Sequence, residues 1–202
     1  MMGTTHALAG AFIGAAVATA VPEFAMVGFL AAVAGSVAPD LDIYRGHRRT
    51  LHYPVYGWLV AVPAVALAGV VPTALTVTVA VFLVAATAHA GMDVYGGGLE
   101  LRPWEAGSDR AVYSHYHGRW LQPRRLVPYD GSPQDLALAG GFAIAPAATL
   151  PDPVPAFVAG VLGVSLTYVV LRKRLASLWA TVARALPDPV TPYVPDRFYE
   201  DA

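Results

Sequence analysis

Six apolar stretches alternate with polar ones along the chain. They run about Thr5–Val21, Phe24–Pro39, Tyr53–Val71, Thr73–Met92, Leu136–Leu150 and Val154–Leu171, and none contains Lys or Arg. Several fall short of the roughly 20 residues a bilayer span needs, the second and fifth most clearly. Pro22, Pro72 and the Pro151–Pro155 cluster separate the members of each pair, and Pro ends helices. The links are short, so the pattern predicts three helical hairpins. Ala, Gly and Ser within the stretches suit close helix packing in lipid. The predicted fold is all-α: a polytopic membrane protein of about six helices. The competing reading is the buried helices of a soluble all-α protein. No internal repeat is visible.

Composition sharpens this choice. Of 202 residues, 56% are hydrophobic and 13% charged, about half the usual ~25% charge of soluble domains. That is too apolar for disorder. Thirteen Lys and Arg against 14 Asp and Glu give no basic excess for a nucleic-acid partner, and none is expected. Zero Cys removes disulfides, thiolate metal sites and Cys nucleophiles.

Under the six-span pattern every basic residue falls on one side. Arg45, Arg48 and Arg49 follow the second stretch. Arg102, Arg110, Arg119, Arg124 and Arg125 follow the fourth, and Arg172, Lys173, Arg174, Arg184 and Arg197 follow the sixth. The other side carries only Glu23 and Asp152 as charges. The positive-inside rule makes the basic side cytoplasmic, with both termini there, in a cell (plasma or inner) membrane. Met1–Thr5 has no basic residue before the apolar run, so no cleavable signal peptide is expected. Residues 1–186 read as one membrane-embedded domain with a long cytoplasmic loop at 94–135. Leu171, Leu175, Leu178, Trp179, Val182 and Leu186 recur at helical spacing, which fits either an amphipathic helix on the leaflet or a continuation of the sixth helix into solvent. The tail 187–202 reads as flexible.

Candidate chemistry gathers at the same face. His6 opens the first stretch, Asp40 and Asp42 close the second, His47 and His52 follow it, and His89 and Asp93 end the fourth. His89 and Asp93 are i and i+4, on one helical face, as two ligands of one metal would be. The pair also fits a hydrogen-bonded helix end. Asp40 and Asp42, two apart, project to one side if the segment is extended, and two such carboxylates repel unless a cation or proton lies between them. Solvated acids with Asp40 as a helix cap fit too. His47 and His52 converge only through their loop. Mixed nitrogen and oxygen ligation without sulfur suits Zn²⁺, Mn²⁺ or Fe. His115 and His117 could add ligands or be surface histidines.

The ordered segments THALAG, APDLDIYRGHRRTLHYP and AHAGMDVYGGGLELRPW resemble the YdjM-like family of membrane-bound metal-dependent hydrolases, also described as LexA-binding inner-membrane hydrolases. The matches are His6, Pro39–Asp40–Leu41–Asp42, His47–Arg48, His52, His89, Asp93 and Pro103–Trp104, within about residues 1–130. Arg49, Tyr53 and Gly96–Gly98 depart from the family pattern. The resemblance implies a divalent metal, Zn first, held among His6, Asp40, Asp42, His47, His52, His89 and Asp93. The family also resembles, remotely, zinc-dependent phospholipase C and single-strand nucleases, which use an HxxxD helix pair.

Two functions follow. The first is a membrane-bound hydrolase acting on a phosphoester or lipid-like substrate at the cytoplasmic face through metal-activated water. Arg48 and Arg49 would hold phosphate, or simply signal topology, and Asp93, Asp40 or Asp42, whichever is not a ligand, would serve as base. The second is a non-catalytic metal-binding docking protein, using the loop 94–135, rich in Tyr, Trp and Arg, to meet a protein partner. A metal carrier should place ionisable residues at both faces, and here they share one.

Overall fold

Pro and hydroxyl side chains punctuate the chain where its apolar stretches end, and the helices follow that punctuation. The computed structural model describes residues 1–44, 46–187, 189–194 and 198–199. Its six α-helices are α1 (Gly3–Ala20), α2 (Ala25–Val37), α3 (Tyr56–Val70), α4 (Ala74–Val94), α5 (Pro133–Thr149) and α6 (Val154–Ala185). Thr73 caps α4 in a reciprocal box: its Oγ1 accepts from Thr76 N, and Thr76 Oγ1 accepts from Thr73 N. Ser132 Oγ accepts from Asp135 N and starts α5, with Pro133 in the first turn where its missing N–H costs nothing.

Small residues set the packing. α1 lies between α2 and α5, α4 between α2 and α3, and α6 covers α5. At Gly10 a side chain would strike Ser36 and the Ala32 carbonyl of α2, and at Gly35 it would strike the Phe82 backbone of α4. Backbones approach this closely only where Cβ atoms are absent or small. One core joins Leu8, Ala11, Phe29, Ala139 and Val158, and a second joins Ala31, Ala32, Val77, Val81 and Ala85. The large apolar side chains Leu59, Val62, Val70, Leu75, Ile144 and Val170 point outward. A water-facing bundle would bury these; with small and polar groups inside and large apolar groups outside, the surface suits lipid.

Three apolar helical stretches are long enough to cross a membrane: Pro22–Ile43, Ala74–Val94 and Val154–Ala185. The six-span expectation narrows accordingly. α3 is apolar but has only 15 residues. α1 opens on Thr4, Thr5 and His6 and is sheathed by α2 and α5, so it needs no lipophilic exterior. α5 carries Gly140, Gly141 and Pro146 in its 17 residues.

Of the two readings of its C-terminal stretch, the sixth helix takes the continuation. It runs unbroken for 32 residues to Ala185. Its buried stripe there is Arg172, Ala176, Ala180 and Ala183, whereas Leu171, Leu178, Trp179 and Val182 face outward. The alanines let the helix pack closely, with Leu101 and Trp104 of the loop against Ala176 and Ala180.

The segment between α4 and α5 folds back onto the bundle. Strands β1 (Val112–Ser114) and β2 (Arg119–Leu121) pair antiparallel, with Tyr113 opposite Trp120. Tyr113 N donates to Arg48 O, Arg124 N to Val94 O, and Val127 N to Tyr95 O. The tail, expected to be flexible, forms a 3₁₀ turn at Thr191–Tyr193, and Phe198 packs beside Leu101. Arg45 and Arg197, counted among the basic stretches, lie outside the described residues, as do parts of the tail.

Candidate metal centre

Five elements bring polar side chains to one end of the bundle: the start of α1, the segment after α2, the loop before α3, the end of α4 and the start of α5. The segment Ala38–Tyr44 is a 3₁₀ helix rather than an extended strand. At about three residues per turn, residues two apart diverge. Asp40 and Asp42 therefore separate: Asp40 turns to His89 and Asp42 to the following loop.

Asp42 organises that loop. Its Oδ1 accepts from His47 Nδ1 at 2.9 Å and Arg48 N at 3.3 Å, and its Oδ2 from Leu51 N and His52 Nδ1, each at 3.1 Å. Four donors on one buried carboxylate hold the turn in place. Arg48 sits there at φ 58°, the left-handed region that a non-glycine residue enters only under constraint.

The imidazoles are fixed by their outer nitrogens. His89 Nδ1 lies 2.6 Å from the Ser36 carbonyl, which can only accept, so this nitrogen carries the proton. His52 Nδ1 donates to the Asp42 carboxylate by the same logic. Both Nε2 atoms are then lone-pair nitrogens in the neutral rings. They face each other at 3.1 Å. Asp93 Oδ2 lies 3.5 Å from each, and Asp40 Oδ1 lies 3.4 Å from His89 Nε2 and 3.9 Å from His52 Nε2. The ligand atoms of Asp40, His52, His89 and Asp93 all fall within 4.8 Å of one another.

This donor set fits a divalent cation. Ligands at ~2.0–2.1 Å around a tetrahedral Zn²⁺ stand roughly 3.3 Å apart, close to the spacings above. Asp93 Oδ2 is buried with no hydrogen bond of its own. Arg48 Nε is 3.2 Å from it but misaligned for one. Lone pairs aimed at lone pairs leave a buried deficit that a cation removes. The outer contacts, Asp42 to His52 and Ser36 to His89, orient ring ligands as metal sites require.

The other expected ligands lie one layer out. His6 stacks on the His89 ring, centroids 3.7 Å apart, and its Nε2 donates to Asp93 Oδ1 at 3.1 Å. The Met1 nitrogen meets the same oxygen at 2.9 Å. His47 and Asp42 belong to the turn. Arg48, expected to hold phosphate, spends its guanidinium on Asp93 and, through Nη1, on Gly97 O at 2.9 Å. Arg49 lies over the Tyr113 ring. His115 Nε2 donates to Arg49 O and stacks on Tyr53, and His117 Nδ1 pairs with Ser114 Oγ; neither joins the four.

Burial draws the His52 pKa down, but hydrogen bonds to Asp42 and Asp93 outweigh it and leave the group raised above 6.5. Asp135, which the spacing argument passed over, is fully buried. It accepts from Met2 N, Thr5 Oγ1 and Gly131 N, tying the start of α1 to that of α5. Ser132 three residues before an acid was a capping signal that marked it.

Of the four clustered residues, Asp40 alone keeps appreciable exposure, 28% against 1% or less for the rest. It borders a cleft of about 790 Å³, shared with Arg48, Glu100, Val164 and Trp179. Comparisons with known protein families, curated proteins and solved structures found no match to this chain. The functional reading therefore rests on the chemistry of the site itself.

Proposed function

We propose that the protein is a membrane-bound metal-dependent hydrolase of phosphoesters, its site at the basic, cytoplasmic face of a helical bundle whose three long apolar helices cross the bilayer. One observation carries the reading: the Nε2 atoms of His52 and His89, whose Nδ1 atoms are engaged by Asp42 and the Ser36 carbonyl, converge with two carboxylate oxygens beside an open cleft. The resemblance in motif order and the outward apolar surface support the same reading.

Asp40, His52, His89 and Asp93 would hold the cation, with Zn²⁺ favoured by the mixed nitrogen and oxygen set. When bound, it supplies a water of lowered pKa and draws charge from a phosphoryl oxygen. Asp42 and Ser36 keep the two rings in register. Arg48 holds Asp93 in place and balances its charge. Asp40, alone of the four, borders the cleft through which a substrate would reach the cation. His6 buttresses His89 by stacking.

Metal analysis of the purified chain, paired with turnover on a panel of phosphoesters before and after chelation, tests the reading. About one equivalent of metal or more per chain is expected, with activity lost on chelation and regained on Zn²⁺. A metal-loaded protein inert on every phosphoester would overturn the hydrolase and leave a metal-binding docking protein.

A further inference from the structure

The approach to α3 and the β1–β2 hairpin meet in a band of aromatic rings at the basic end of the bundle. Tyr53 stacks on His115 with centroids 4.9 Å apart, and Tyr56 meets Tyr116 of the hairpin turn edge to face at 6.0 Å. Tyr113 packs edge to face on Trp120 at 5.6 Å. Two guanidiniums lie on these rings: Arg49 over Tyr113 at 4.5 Å and Arg110 over Trp120 at 5.9 Å. A ring face fixes the place of a cation without neutralising it. Arg119 on β2 is exposed, with no side-chain partner among the described residues. Asp109 adjoins Arg110 in sequence; from there to Asp130 no Asp or Glu occurs.

Beyond the band the surface turns aliphatic. Tyr116 is 61% exposed, and along α3 Leu59, Val62 and Val70 reach 64%, 60% and 81%. α3 packs on α4 and leaves this face uncovered. No Asp, Glu, Lys or Arg occurs between Arg49 and Asp93. An aliphatic helix face that ends in Tyr, Trp and Arg is the pattern of a membrane–water interface, where amphipathic rings sit among the head groups and basic side chains meet anionic lipid. A water-soluble protein partner could cover the band but not the aliphatic face that runs on from it. A bilayer covers both.

We propose that the β1–β2 hairpin is a membrane-surface element: Tyr53, Tyr56 and Tyr116 lie at head-group depth, and Arg49 and Arg119 hold the phosphates of an anionic leaflet. The hairpin also grips the turn that carries His52. Tyr113 N donates to Arg48 O, and His115 Nε2 donates to Arg49 O at 2.7 Å. Lipid contact at the hairpin is thereby passed to the segment between Gly46 and His52. The inference goes beyond the hydrolase reading and shares with it only the bilayer; it needs neither metal nor turnover.

The chain has no Cys, so Tyr116→Cys carries a single benzophenone–maleimide cross-linker. In vesicles of equal phosphatidylglycerol and phosphatidylcholine, irradiation should join the label to lipid, identified by adduct mass. Phosphatidylglycerol should be favoured about fivefold or more, the scale of one arginine at a charged surface. Adding Arg49→Gln and Arg119→Gln to the labelled chain should bring the two lipids within about twofold. Salt should do the same without those substitutions: at about 1 M the screening length falls to roughly 3 Å. The same label at Val62→Cys, on the aliphatic face, should capture both lipids within about twofold of each other. Absence of lipid adducts at position 116 while position 62 captures lipid overturns the proposal and leaves the band to a protein partner. Equal capture of the two lipids at position 116 in low salt, or a preference that survives both salt and loss of the two arginines, overturns it as well. Metal content and phosphoester turnover enter none of these outcomes, so this inference and the hydrolase reading fail separately.

Discussion

Two clusters of charged side chains border the same cleft and satisfy their polar atoms in opposite ways. At the α6 cluster, Arg172 Nε and Nη2 fork onto Asp130, Nη2 also reaches Leu101 O at 3.0 Å, and Tyr168 Oη donates to Asp130 Oδ2 at 2.6 Å. Trp104 and Tyr168 lie against the guanidinium. Donors meet acceptors, and the group is complete without a ligand. At the α2–α4 cluster, acceptors meet acceptors: His52 Nε2 faces His89 Nε2, and Asp93 Oδ2 has no hydrogen bond. A closed polar group fastens helices, whereas an open one, held rigid by Asp42 and Ser36, gathers oxygen and nitrogen atoms that could hold a metal ion. Both bury charge, so burial alone does not mark a site; the pattern of unanswered atoms does.

Breaking the open cluster should have the largest effect. Asp93→Ala removes the oxygen shared by His52 and His89 and strands Arg48. Metal content should fall to near zero, and turnover on a phosphoester should drop by on the order of 10²–10³-fold. The thermal midpoint should no longer rise on adding Zn²⁺. Full metal occupancy in this variant would refute the four-ligand site.

Breaking the closed cluster should cost stability and spare the metal. Arg172→Ala leaves Asp130, Leu101 O and Tyr168 without their common partner. The loss should be about 2–3 kcal/mol, short of a fully buried pair because Asp130 is 26% exposed. Zn²⁺ stoichiometry should stay at the wild-type value; metal loss here would show the two clusters to be one unit.

Asp42→Asn tests whether the open cluster depends on its support. The amide presents an NH₂ to a position where only donors arrive, so His52 loses its anchor or its tautomer. Second-layer changes of this kind cost about 10–100-fold in metal affinity, to be read by competition with a chelator.

The clusters should also differ with pH. In the metal-free protein His52 has a raised pKa, so its contribution to stability is complete below the unfolded value of 6.5 and fades as pH climbs through the folded one. Metal needs the same Nε2 lone pair, so Zn²⁺ affinity should rise over that window with release of a proton. Thermal midpoints across the window should show the metal-free protein losing stability while the gain from Zn²⁺ grows. A gain independent of pH would remove His52 from the ligand set.

The helices were legible because apolar runs end at Pro22, Pro72 and Pro151, and their boundaries lie within a few residues of those runs, α6 excepted. There the charged triplet Arg172–Arg174 cut the run, yet the helix continues because Arg172 turns inward to Asp130 while its neighbours reach solvent. Within the site, the His89–Asp93 pair could be read from its i, i+4 spacing. The separation of Asp40 from Asp42 could not, since it depends on a 3₁₀ turn that composition does not signal. Nor could the contacts of Arg48, because a chain position says nothing about which partner a buried group finds. Along α6 alanine, not leucine, faces the loop, since close approach there outweighs apolar area.

The smallest expected effect marks the outer edge of the open cluster. His115 stands on the hairpin, donates to Arg49 O at 2.7 Å and stacks on Tyr53 with centroids 4.9 Å apart. It thereby braces the same turn that Asp42 holds, but from the solvent side and through main-chain atoms whose geometry four donors already fix. His115→Ala should therefore cost no more than about 1 kcal/mol of stability, with Zn²⁺ content and affinity within about twofold of wild type. The contrast with Asp42→Asn is the sensitive quantity, since both residues act on the segment between Gly46 and His52 and only one touches a ring of the cluster. If His115→Ala weakens Zn²⁺ binding as much as Asp42→Asn does, the hairpin belongs to the site and the boundary drawn around Asp40, His52, His89 and Asp93 is too tight.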